Sequence, residues 1–574
     1  MKRFNFNNDR YIFFDGAMGT QLQMEVKENI LPEEVNIKYP DVLEMIHKRY
    51  VDAGADVITT NTFGANEFKL EKVGLAPEEV IKAGVICARK AAGERAVALD
   101  VGPLGKMFVP MGDLTFDLAY KAFARQMIAG EKAGCDLIII ETMTDLYEMK
   151  CAVLAAKENT SLPVICTMTF EENGKTFMGA DSKSMVALLE GMGVDALGVN
   201  CSLGPDKLIG TVEEILKNSS IPVIVQPNAG IPVYKDEETT YDITKEQFAD
   251  AMVKMADMGV LILGGCCGTT PEYISNLIKA LEGKKPIKPA PKDIAVACSS
   301  RKCVYLEDKV VSISENMIPH GNEKVTKILR SGNYRKLVSI AREMKNKGAD
   351  ILNINTNLEG VEEKAVMVDV VNAIQQTVDI PLQIETKDVD VLEAALRTYS
   401  GKAFINSVDG TEKSMKEVFP IMKKYGGVAI ALLIDEEGLG ETGEKRLEIA
   451  AKILSEAKKY GLGKKDFVFD CLSLPAATNQ ENLLEALKAI RLIKENLGGK
   501  TLMGIGNVSY KLPERGLLNR TYLAMALGAG LDAFIMDFND DGMKETLNAA
   551  EVILNIDKSA EKYIETYAKK DENS

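Results

Sequence analysis

The chain has 574 residues, of which 46% are hydrophobic and 27% charged, and its formal net charge at pH 7 is −15. This is the composition of an ordinary globular protein that is too long for a single hydrophobic core. The acidic balance excludes a nucleic-acid-binding protein, because neutralising phosphates needs clustered Lys and Arg. No apolar run approaches the roughly 20 residues that a membrane span needs, so we expect a cytoplasmic protein without a membrane segment.

Eight short apolar runs alternate with amphipathic, charge-patterned segments in the first half of the chain. Residues 41–50, for example, show the 3.6-residue period of a helix. Glycine and aspartate recur where a helix would end and a strand begin, in residues 53–56, 133–136 and 192–195. Eight β/α units within about 280 residues predict a closed barrel over residues 1–285. The runs are Tyr11–Phe14, Asp56–Thr60, Ala96–Asp100, Asp136–Glu141, Pro163–Thr169, Ala196–Asn200, Val223–Gln226 and Val260–Leu263.

The same pattern restarts after a segment rich in proline and lysine. We assign residues 286–300 to a semi-rigid linker, residues 301–560 to a second barrel and residues 561–574 to a charged C-terminal tail. The predicted fold class is therefore α/β, with two tandem (β/α)₈ TIM barrels. The second set of runs is Val310–Ser314, Asp350–Ile354, Pro381–Glu385, Ala403–Asn406, Val428–Ile434, Phe467–Asp470, Thr501–Ile505 and Ala533–Met536.

Three cysteines follow strands of the first predicted barrel, at the end where such barrels place catalytic groups. Cys201 follows the sixth run, and Cys266 and Cys267 follow the eighth in a glycine-rich turn. Three thiolates on one rim predict a zinc site. The chain has only two histidines, and we expect neither on this rim. The fourth coordination position is therefore predicted to be open, as in catalytic zinc sites, and suits a substrate thiol. The alternative is three buried cysteines without a metal.

Several segments of the first half have a characteristic sequence, and they lie at the ends of the predicted strands: Asp15–Thr20, Thr60–Ala65, Gly198–Ser202, Gln226–Gly230 and Gly264–Thr269. Through these segments the first half resembles the zinc-dependent homocysteine S-methyltransferase family. The resemblance implies that the three cysteines bind Zn²⁺ and that the sulfur of homocysteine takes the open position.

The same resemblance implies a site for the amino-acid end of homocysteine. A carboxylate accepts hydrogen bonds from an ammonium group, and a glycine-rich turn offers N–H donors to a carboxylate. The implied residues are Asp15 and Glu141 with the backbone around Gly16 and Ala17. Asn61 and Asn228 are further candidates for hydrogen bonds on this rim.

Asparagines and carboxylates end most strands of the second predicted barrel, and they suit a heterocycle with alternating donors and acceptors. This half resembles the pterin-binding methyltransferase domain of the cobalamin-dependent methionine synthase family, most clearly in Ile505–Arg515. The resemblance implies 5-methyltetrahydrofolate as a methyl donor, with Asn507 as the catalytic residue beside the methyl-bearing nitrogen. The implied pterin-binding residues are Asn353, Glu385, Asn406, Asp470, Asn507 and Arg515.

The second barrel departs from the family pattern at several positions. Residues 314–318 read Ser-Glu-Asn-Met-Ile, where the family begins with Gly-Glu-Arg. Asn353 and Glu385 stand where the family has aspartates, and Gly506 stands in place of a serine. We therefore leave open a modified pterin, weak folate binding or another methyl donor.

The family also uses a cobalamin module, and its Asp-x-His-x-x-Gly motif does not occur in this sequence. The resemblance then implies that cobalamin is carried by a separate corrinoid-binding protein or by a C-terminal module outside this sequence. Our leading hypothesis is a methyltransferase that makes methionine from homocysteine and methylcobalamin, while the second barrel remethylates the corrinoid. Two alternatives stay open: a direct sulfonium donor such as S-methylmethionine, and a docking scaffold with structural zinc.

Overall fold

The computed structural model describes residue 6 and residues 9–235 and 238–571. The chain divides into two compact units, Met1–Lys292 and Asp293–Ser574. Within the described ranges, none of the helices combines the length and the apolar content that crossing a lipid bilayer requires.

The first unit is built around one parallel sheet with strand order β1-β10-β7-β6-β5-β4-β3-β2. Its strands, with those of a separate antiparallel hairpin (β8 and β9), are β1 (Ile12–Phe13), β2 (Val57–Thr59), β3 (Ala96–Val101), β4 (Leu137–Met143), β5 (Val164–Met168), β6 (Ala196–Asn200), β7 (Val223–Gln226), β8 (Pro232–Lys235), β9 (Glu238–Tyr241) and β10 (Ile262–Leu263). A bridge between Phe14 and Val57 joins the two sheet edges, and the Asp56 N–H donates to the Phe13 carbonyl at 2.7 Å. The prediction of a first barrel is therefore confirmed.

Helices cover the outside of this barrel. Several of them begin at a side-chain cap: Thr115 accepts from the Leu118 N–H, and Asp181 accepts from the Ser184 N–H. The helices are α1 (Gly19–Glu25), α2 (Val35–Lys38), α3 (Pro40–Ala53), α4 (Glu67–Leu70), α5 (Pro77–Ala92), α6 (Phe116–Ala133), α7 (Leu146–Asn159), α8 (Ser182–Gly191), α9 (Pro205–Asn218), α10 (Lys245–Met258) and α11 (Pro271–Ala280).

The recurring glycine and aspartate have a structural role in both units. Gly54, Gly134 and Gly193 have positive φ (105°, 100° and 69°) where a helix ends. The aspartate two residues later precedes the next strand, and its carboxylate accepts a backbone N–H of the strand before. This link ties two neighbouring strands together. The pairs are Asp56 with Phe13, Asp136 with Val97, Asp195 with Val164, Asp350 with Ser312 and Asp532 with Thr501.

The second unit is a closed barrel with strand order β13-β14-β15-β16-β17-β20-β21-β22, so the prediction of a second barrel is also confirmed. The strands of this unit are β11 (Val296–Cys298), β12 (Cys303–Tyr305), β13 (Val311–Met317), β14 (Ile351–Asn355), β15 (Leu382–Glu385), β16 (Phe404–Asp409), β17 (Val428–Leu432), β18 (Ile434–Asp435), β19 (Gly438–Leu439), β20 (Phe467–Asp470), β21 (Lys500–Gly504) and β22 (Ala533–Met536). Its helices are α12 (Glu323–Ser331), α13 (Arg335–Asn346), α14 (Glu363–Gln375), α15 (Val389–Thr398), α16 (Glu412–Tyr425), α17 (Gly443–Ala457), α18 (Glu481–Leu497), α19 (Arg515–Ala529), α20 (Asp541–Ile553) and α21 (Glu561–Asp571).

A hairpin of β11 and β12 closes the amino-terminal end of the second barrel. Ala295, Ala297, Val304 and Leu306 are buried in one core with the first residues of the barrel strands. The segment predicted as a linker, residues 286–300, thus includes a strand of the second unit. Helix α21 occupies most of the segment predicted as a charged tail, and residues 572–574 of that segment lie outside the described residues.

Candidate functional site

The three predicted thiols come together at the carboxyl-terminal rim of the first barrel. Cys201 directly follows β6, and Cys266 and Cys267 follow β10. All three Sγ atoms lie within 4.8 Å of one another, and the sulfurs of Cys201 and Cys267 are 3.9 Å apart. The three cysteines are partly exposed, so a ligand can reach the cluster.

Backbone hydrogen bonds hold both turns. Cys201 lies in the left-handed region with φ of 60°, and its N–H donates to the carbonyl of Gln226 at 3.0 Å. The Cys266 N–H donates to the Pro227 carbonyl at 2.8 Å. A side chain at Gly265 would place its Cβ 2.4 Å from Oγ1 of Thr269. Only glycine therefore allows the chain to turn here and present two adjacent sulfurs.

The donor set fits a thiophilic divalent cation. Hydrogen bonds with Cys201 and Cys267, followed by burial, raise the pKa of Cys266 well above its ordinary value. Hydrogen bonds from Cys201 and Cys266 lower the pKa of Cys267. Without a cation, the closeness of the three thiols therefore opposes their joint ionisation. A divalent cation would allow all three sulfurs to ionise, as zinc does in thiolate sites.

Among the described residues, no further His, Cys, Asp or Glu joins this group. His47 is fully buried on α3, and burial lowers its pKa to about 3. His320 belongs to the second unit, and Cys166 is buried inside β5. Asn228 lies on the neighbouring loop, where its Oδ1 is buried without a hydrogen-bond partner. The coordination predicted from the sequence, three sulfurs and an open position, is compatible with this arrangement.

A cavity of about 240 Å³ adjoins the thiols. The turn after β1 forms one wall, and the ends of β2, β3, β4 and β7 form the others. The residues that line it include the three cysteines with Asp15, Gly16, Ala17, Glu33, Thr59, Asn61, Asp100, Glu141 and Gln226. Asp15, Gly16, Ala17 and Glu141, predicted to bind the amino-acid end, thus lie around one cavity with the thiols.

Three carboxyl groups give the cavity its electrostatic character: Asp15 and Asp100 are buried, and Glu141 is half-buried. Burial raises the pKa of Asp15 to about 7 and that of Glu141 to about 8. Burial, followed by the charge of Glu141, raises the pKa of Asp100 well above its usual range. Oδ1 of Asp100 has no hydrogen-bond partner. The ammonium group of Lys69 acts on Asp100 and opposes the rise in its pKa, but none of the ion pairs found among the described residues includes these three carboxyl groups. A ligand with a positive charge would therefore stabilise their ionised forms.

Some of the groups predicted to bind homocysteine already form hydrogen bonds within the protein. Thr59 donates to Asp15 from its N–H (2.8 Å) and its hydroxyl (2.7 Å). The Ala17 N–H donates to Oγ1 of Thr269 at 3.2 Å. The amide of Asn61 donates to the Pro32 carbonyl (2.7 Å) and to Asn36 (2.8 Å), so it joins two loops.

Two acidic residues of the cavity were not predicted from the sequence. Asp100 is the second-last residue of β3, and its position at the end of the predicted run Ala96–Asp100 was a usable signal. Glu33 comes from the loop between α1 and α2, where it is 5% exposed and accepts from the Gly64 N–H at 2.6 Å. No strand end marks this loop, so sequence periodicity could not identify Glu33.

A buried carboxyl group behind the cavity makes stability depend on pH. Glu148 on α7 is 6% exposed, and burial raises its pKa from 4.5 to about 7 although the Leu104 N–H donates to it. Between these values the unfolded chain has lost the proton that the folded protein keeps, so the free energy of unfolding falls as the pH rises. Relative to Glu148→Gln, we expect the unmodified protein to lose about 2 kcal/mol between pH 5 and pH 8.

Urea denaturation of both proteins at the two pH values measures this difference. Glu94→Gln is the matched control, because Glu94 is exposed and its replacement should leave the pH dependence unchanged. If the free energy of unfolding changes equally with pH in Glu148→Gln and in the unmodified protein, Glu148 is not the group that causes this pH dependence.

Two of the predicted pterin-binding residues, Glu385 and Asp470, end strands β15 and β20, whereas Asn353 and Asn406 lie within β14 and β16. Asn353 donates to Glu385 at 2.6 Å across β14 and β15. Burial raises the pKa of Asp470 to about 6, although its carboxylate accepts from the Leu472 N–H. Asn406 was predicted to end its strand, but β16 continues to Asp409 beyond a cis peptide bond between Asn406 and Ser407.

Asn507 lies in the turn after β21, and Arg515 is the first residue of α19. The Arg515 guanidinium donates to the Gly506 carbonyl and to Oγ of Ser509, both at 3.0 Å. Arg515 therefore holds the turn on which Asn507 is exposed. Glu315 was not predicted, but it lies near this turn. Its burial, followed by the charge of Asp537, raises its pKa.

Comparison with known proteins gives two family matches. Residues 12–281 match the family model described as homocysteine S-methyltransferase, and residues 320–537 match the model described as pterin binding enzyme. The chain is 30% identical to the methionine synthases of Mycobacterium leprae (strain TN) and Mycobacterium tuberculosis (strain ATCC 25618 / H37Rv) over 577 and 570 aligned residues. Each alignment covers 92% of this chain and 47% of the relative, so the chain spans about half the length of these curated relatives.

Solved structures of the homocysteine methyltransferase MmuM from Escherichia coli are also similar. The apo form is 24% identical with a TM-score of 0.40, and it covers 49% of this chain and 98% of that protein. The metallated form is 24% identical with a TM-score of 0.41, and it covers 47% of this chain and 96% of that protein. The chain is thus similar to the homocysteine S-methyltransferase family over residues 12–281 and to the pterin-binding enzyme family over residues 320–537.

Proposed function

We propose that this chain is a methyltransferase of the methionine synthase type, which transfers a methyl group to the sulfur of homocysteine. The first barrel binds homocysteine, and the second barrel binds 5-methyltetrahydrofolate. The observation that supports this best is the joint placement of three thiols and three carboxyl groups around one cavity. Homocysteine carries a thiol at one end and an ammonium group at the other, so its two ends match the two parts of the cavity.

Cys201, Cys266 and Cys267 would hold a zinc ion. When bound there, zinc favours the thiolate form of a substrate thiol at neutral pH. The protein holds these sulfurs in position through the backbone hydrogen bonds of the two turns. Their partial exposure leaves one side of the cluster open to the cavity.

Asp15, Asp100 and Glu141 would bind the ammonium group of homocysteine. Buried carboxyl groups without a cation are costly to ionise, and an ammonium group among them lowers that cost. The ammonium group thereby fixes the orientation of the amino acid and directs its sulfur towards the thiol cluster. Such positioning converts a bimolecular encounter into a reaction between oriented groups.

X-ray absorption at the zinc edge tests the first half of the proposal. In the zinc-loaded chain we expect three sulfur ligands, rising to four when homocysteine is added. Homoserine is the matched control ligand, since it keeps the amino-acid end but has a hydroxyl instead of the thiol. It should leave three sulfurs. If homocysteine leaves the zinc coordination unchanged, the zinc is structural and the proposal fails.

The second barrel would bind the pterin ring through the polar ends of its strands. Asp470 and the Asn353–Glu385 pair supply acceptors for the N–H groups of the ring. Asn406 and Glu315 add polar groups on the same rim. Asn507, on the turn held by Arg515, is proposed to contact the nitrogen that carries the methyl group.

Calorimetry of the full chain with 5-methyltetrahydrofolate tests the second half. We expect binding, and a weakening of roughly tenfold or more for Asn507→Ala, the range for a lost hydrogen bond to a buried partner. Asn496→Ala is the matched control, because Asn496 is also an exposed asparagine but its amide donates to the Leu492 carbonyl on α18. If the unmodified chain does not bind the compound, the second barrel has a different role.

Methylcobalamin is the proposed carrier of the methyl group between the two sites. No residue of this chain is assigned to holding it, so we place the corrinoid on a separate protein or on a further module. Activity with S-methylmethionine in the absence of any corrinoid would instead favour a direct sulfonium donor.

A further inference from the structure

Two cysteines outside the thiol cluster lie in the hairpin of β11 and β12. Cys298 and Cys303 are directly opposite each other in this antiparallel pair. Cys298 is completely buried, whereas Cys303 is partly exposed. We propose that Cys298 and Cys303 are an oxidation site that forms a disulfide across the hairpin on reaction with a small-molecule disulfide.

The hydrogen-bond pattern of the hairpin defines the kind of pair that they form. The Ser299 N–H donates to the Lys302 carbonyl (2.9 Å), and the Leu306 N–H donates to the Ala295 carbonyl (3.0 Å). Hydrogen-bonded pairs alternate with non-hydrogen-bonded pairs along an antiparallel ladder, so the pair of Cys298 and Cys303 is of the second kind. In such pairs the Cα atoms are typically about 4.5 Å apart, within the range of roughly 4.4–6.8 Å that a disulfide spans.

The surroundings hold Cys298 in place. Its N–H donates to the Lys402 carbonyl at 2.9 Å, and its Sγ accepts from the Lys402 N–H at 3.4 Å. The Tyr399 hydroxyl donates to the Cys298 carbonyl at 3.0 Å. Burial, followed by the effect of Cys298, raises the pKa of Tyr399 well above its ordinary value. The backbone of Lys402 and the hydroxyl of Tyr399 thus fix the position of Cys298.

Two positively charged residues are next to Cys303, the partly exposed cysteine of the pair. Arg301 and Lys302 directly precede Cys303, and both are exposed. Positive charge beside a partly exposed cysteine is the setting in which thiols react with oxidants. An anionic disulfide such as oxidised glutathione is the reagent that this charge favours.

The reaction balances without a further reactant. The sulfur of Cys303 loses its proton and attacks one sulfur of the reagent, whose S–S bond breaks and releases one thiol. The sulfur of Cys298 then loses its proton and displaces the second thiol from the mixed disulfide. Two S–H bonds and the reagent's S–S bond are replaced by one protein S–S bond and two small thiols.

Peptide mapping tests the proposal on the full chain. After treatment with oxidised glutathione, acid quenching and alkylation, trypsin cleaves at Lys292, Arg301, Lys302 and Lys309. Residues 293–301 and 303–309 then separate unless a disulfide joins them. We expect the joined peptides as the main form of this region in the unmodified protein. Cys303→Ser must lack them.

The double variant Cys303→Ser/Tyr305→Cys is the matched control. It has the same number of thiols as the unmodified protein, and its new cysteine lies on the same face of the hairpin as Cys303. Residue 305, however, is opposite Val296 instead of Cys298. Diagonal neighbours are roughly 7–8 Å apart, so we expect joined peptides to fall at least roughly tenfold, because the reaction depends on proximity. If the unmodified protein carries only glutathione on Cys303, or if the double variant forms the link equally well, the proposal is overturned.

Discussion

Replacement of Cys266 by serine is expected to abolish both zinc binding and methyl transfer to homocysteine. Cys266 supplies one of the three sulfurs that lie within 4.8 Å of one another. A neutral hydroxyl is a poor ligand for zinc, so two sulfurs remain where a catalytic site needs three protein ligands. Loss of a residue that only supports a zinc ligand already costs roughly 10- to 100-fold. We therefore expect activity to fall on the order of 10³-fold or more, which is about 4 kcal/mol in the activation barrier.

Metal analysis and the rate of methionine formation measure the two effects on the same sample. Cys87→Ala is the matched control, because Cys87 is a buried cysteine of the same unit that lies on α5, outside the cluster. This control should keep the zinc and the activity while losing some stability from the small cavity. A Cys266→Ser protein that retains a full equivalent of zinc would show that the thiol cluster is not the metal centre.

Replacement of Gly198 by alanine is expected to destabilise the first barrel more than any other alanine substitution proposed here. Gly198 lies inside β6, the strand that ends at Cys201, and a Cβ there would lie 1.8 Å from the carbonyl oxygen of Ile224 on β7. The obstacle is backbone, which cannot move without breaking the ladder between the two strands. We expect a loss of about 3 kcal/mol or more in the free energy of unfolding, at the upper end of the cost of overpacking.

Chemical denaturation measures this loss, and zinc content reports whether the rim is also affected. Gly210→Ala is the matched control, because Gly210 lies on α9 with no atom within 4 Å of the added Cβ. Alanine is the better helix former by roughly 0.5–1 kcal/mol, so this variant should be slightly more stable. Equal effects of the two substitutions would mean that the close approach of β6 and β7 does not limit the side chain at position 198.

The strands could be predicted from the sequence because a parallel barrel buries both faces of its strands. Each strand then appears as a short apolar run, and several runs are preceded by a helix that ends at a glycine, such as Gly54 and Gly134. The runs Asp136–Glu141 and Ala196–Asn200 coincide closely with β4 (Leu137–Met143) and β6 (Ala196–Asn200). The recurring aspartate was visible as a pattern, but its hydrogen bond to the preceding strand required the structure.

The rim position of the thiols also followed from the sequence, since residues after the strands of one barrel share one end of it. The short distances between the sulfurs did not follow, because they depend on left-handed backbone at Cys201 and on close packing at Gly265. The hairpin of β11 and β12 was assigned in part to a linker, because prolines and lysines directly before it dominate the local composition.

The sequence by itself predicted the fold and the shared rim position of Cys201, Cys266 and Cys267, because both depend on local patterns and on the order of elements along the chain. Only the tertiary structure decided which carboxyl groups share the cavity with those sulfurs. Glu33 and Asp100 reach it from separate loops and strands, and their burial there depends on packing between elements distant in sequence. The charge of a buried carboxyl group is set by its surroundings in space, so the cavity's preference for a cationic ligand could be inferred only after folding.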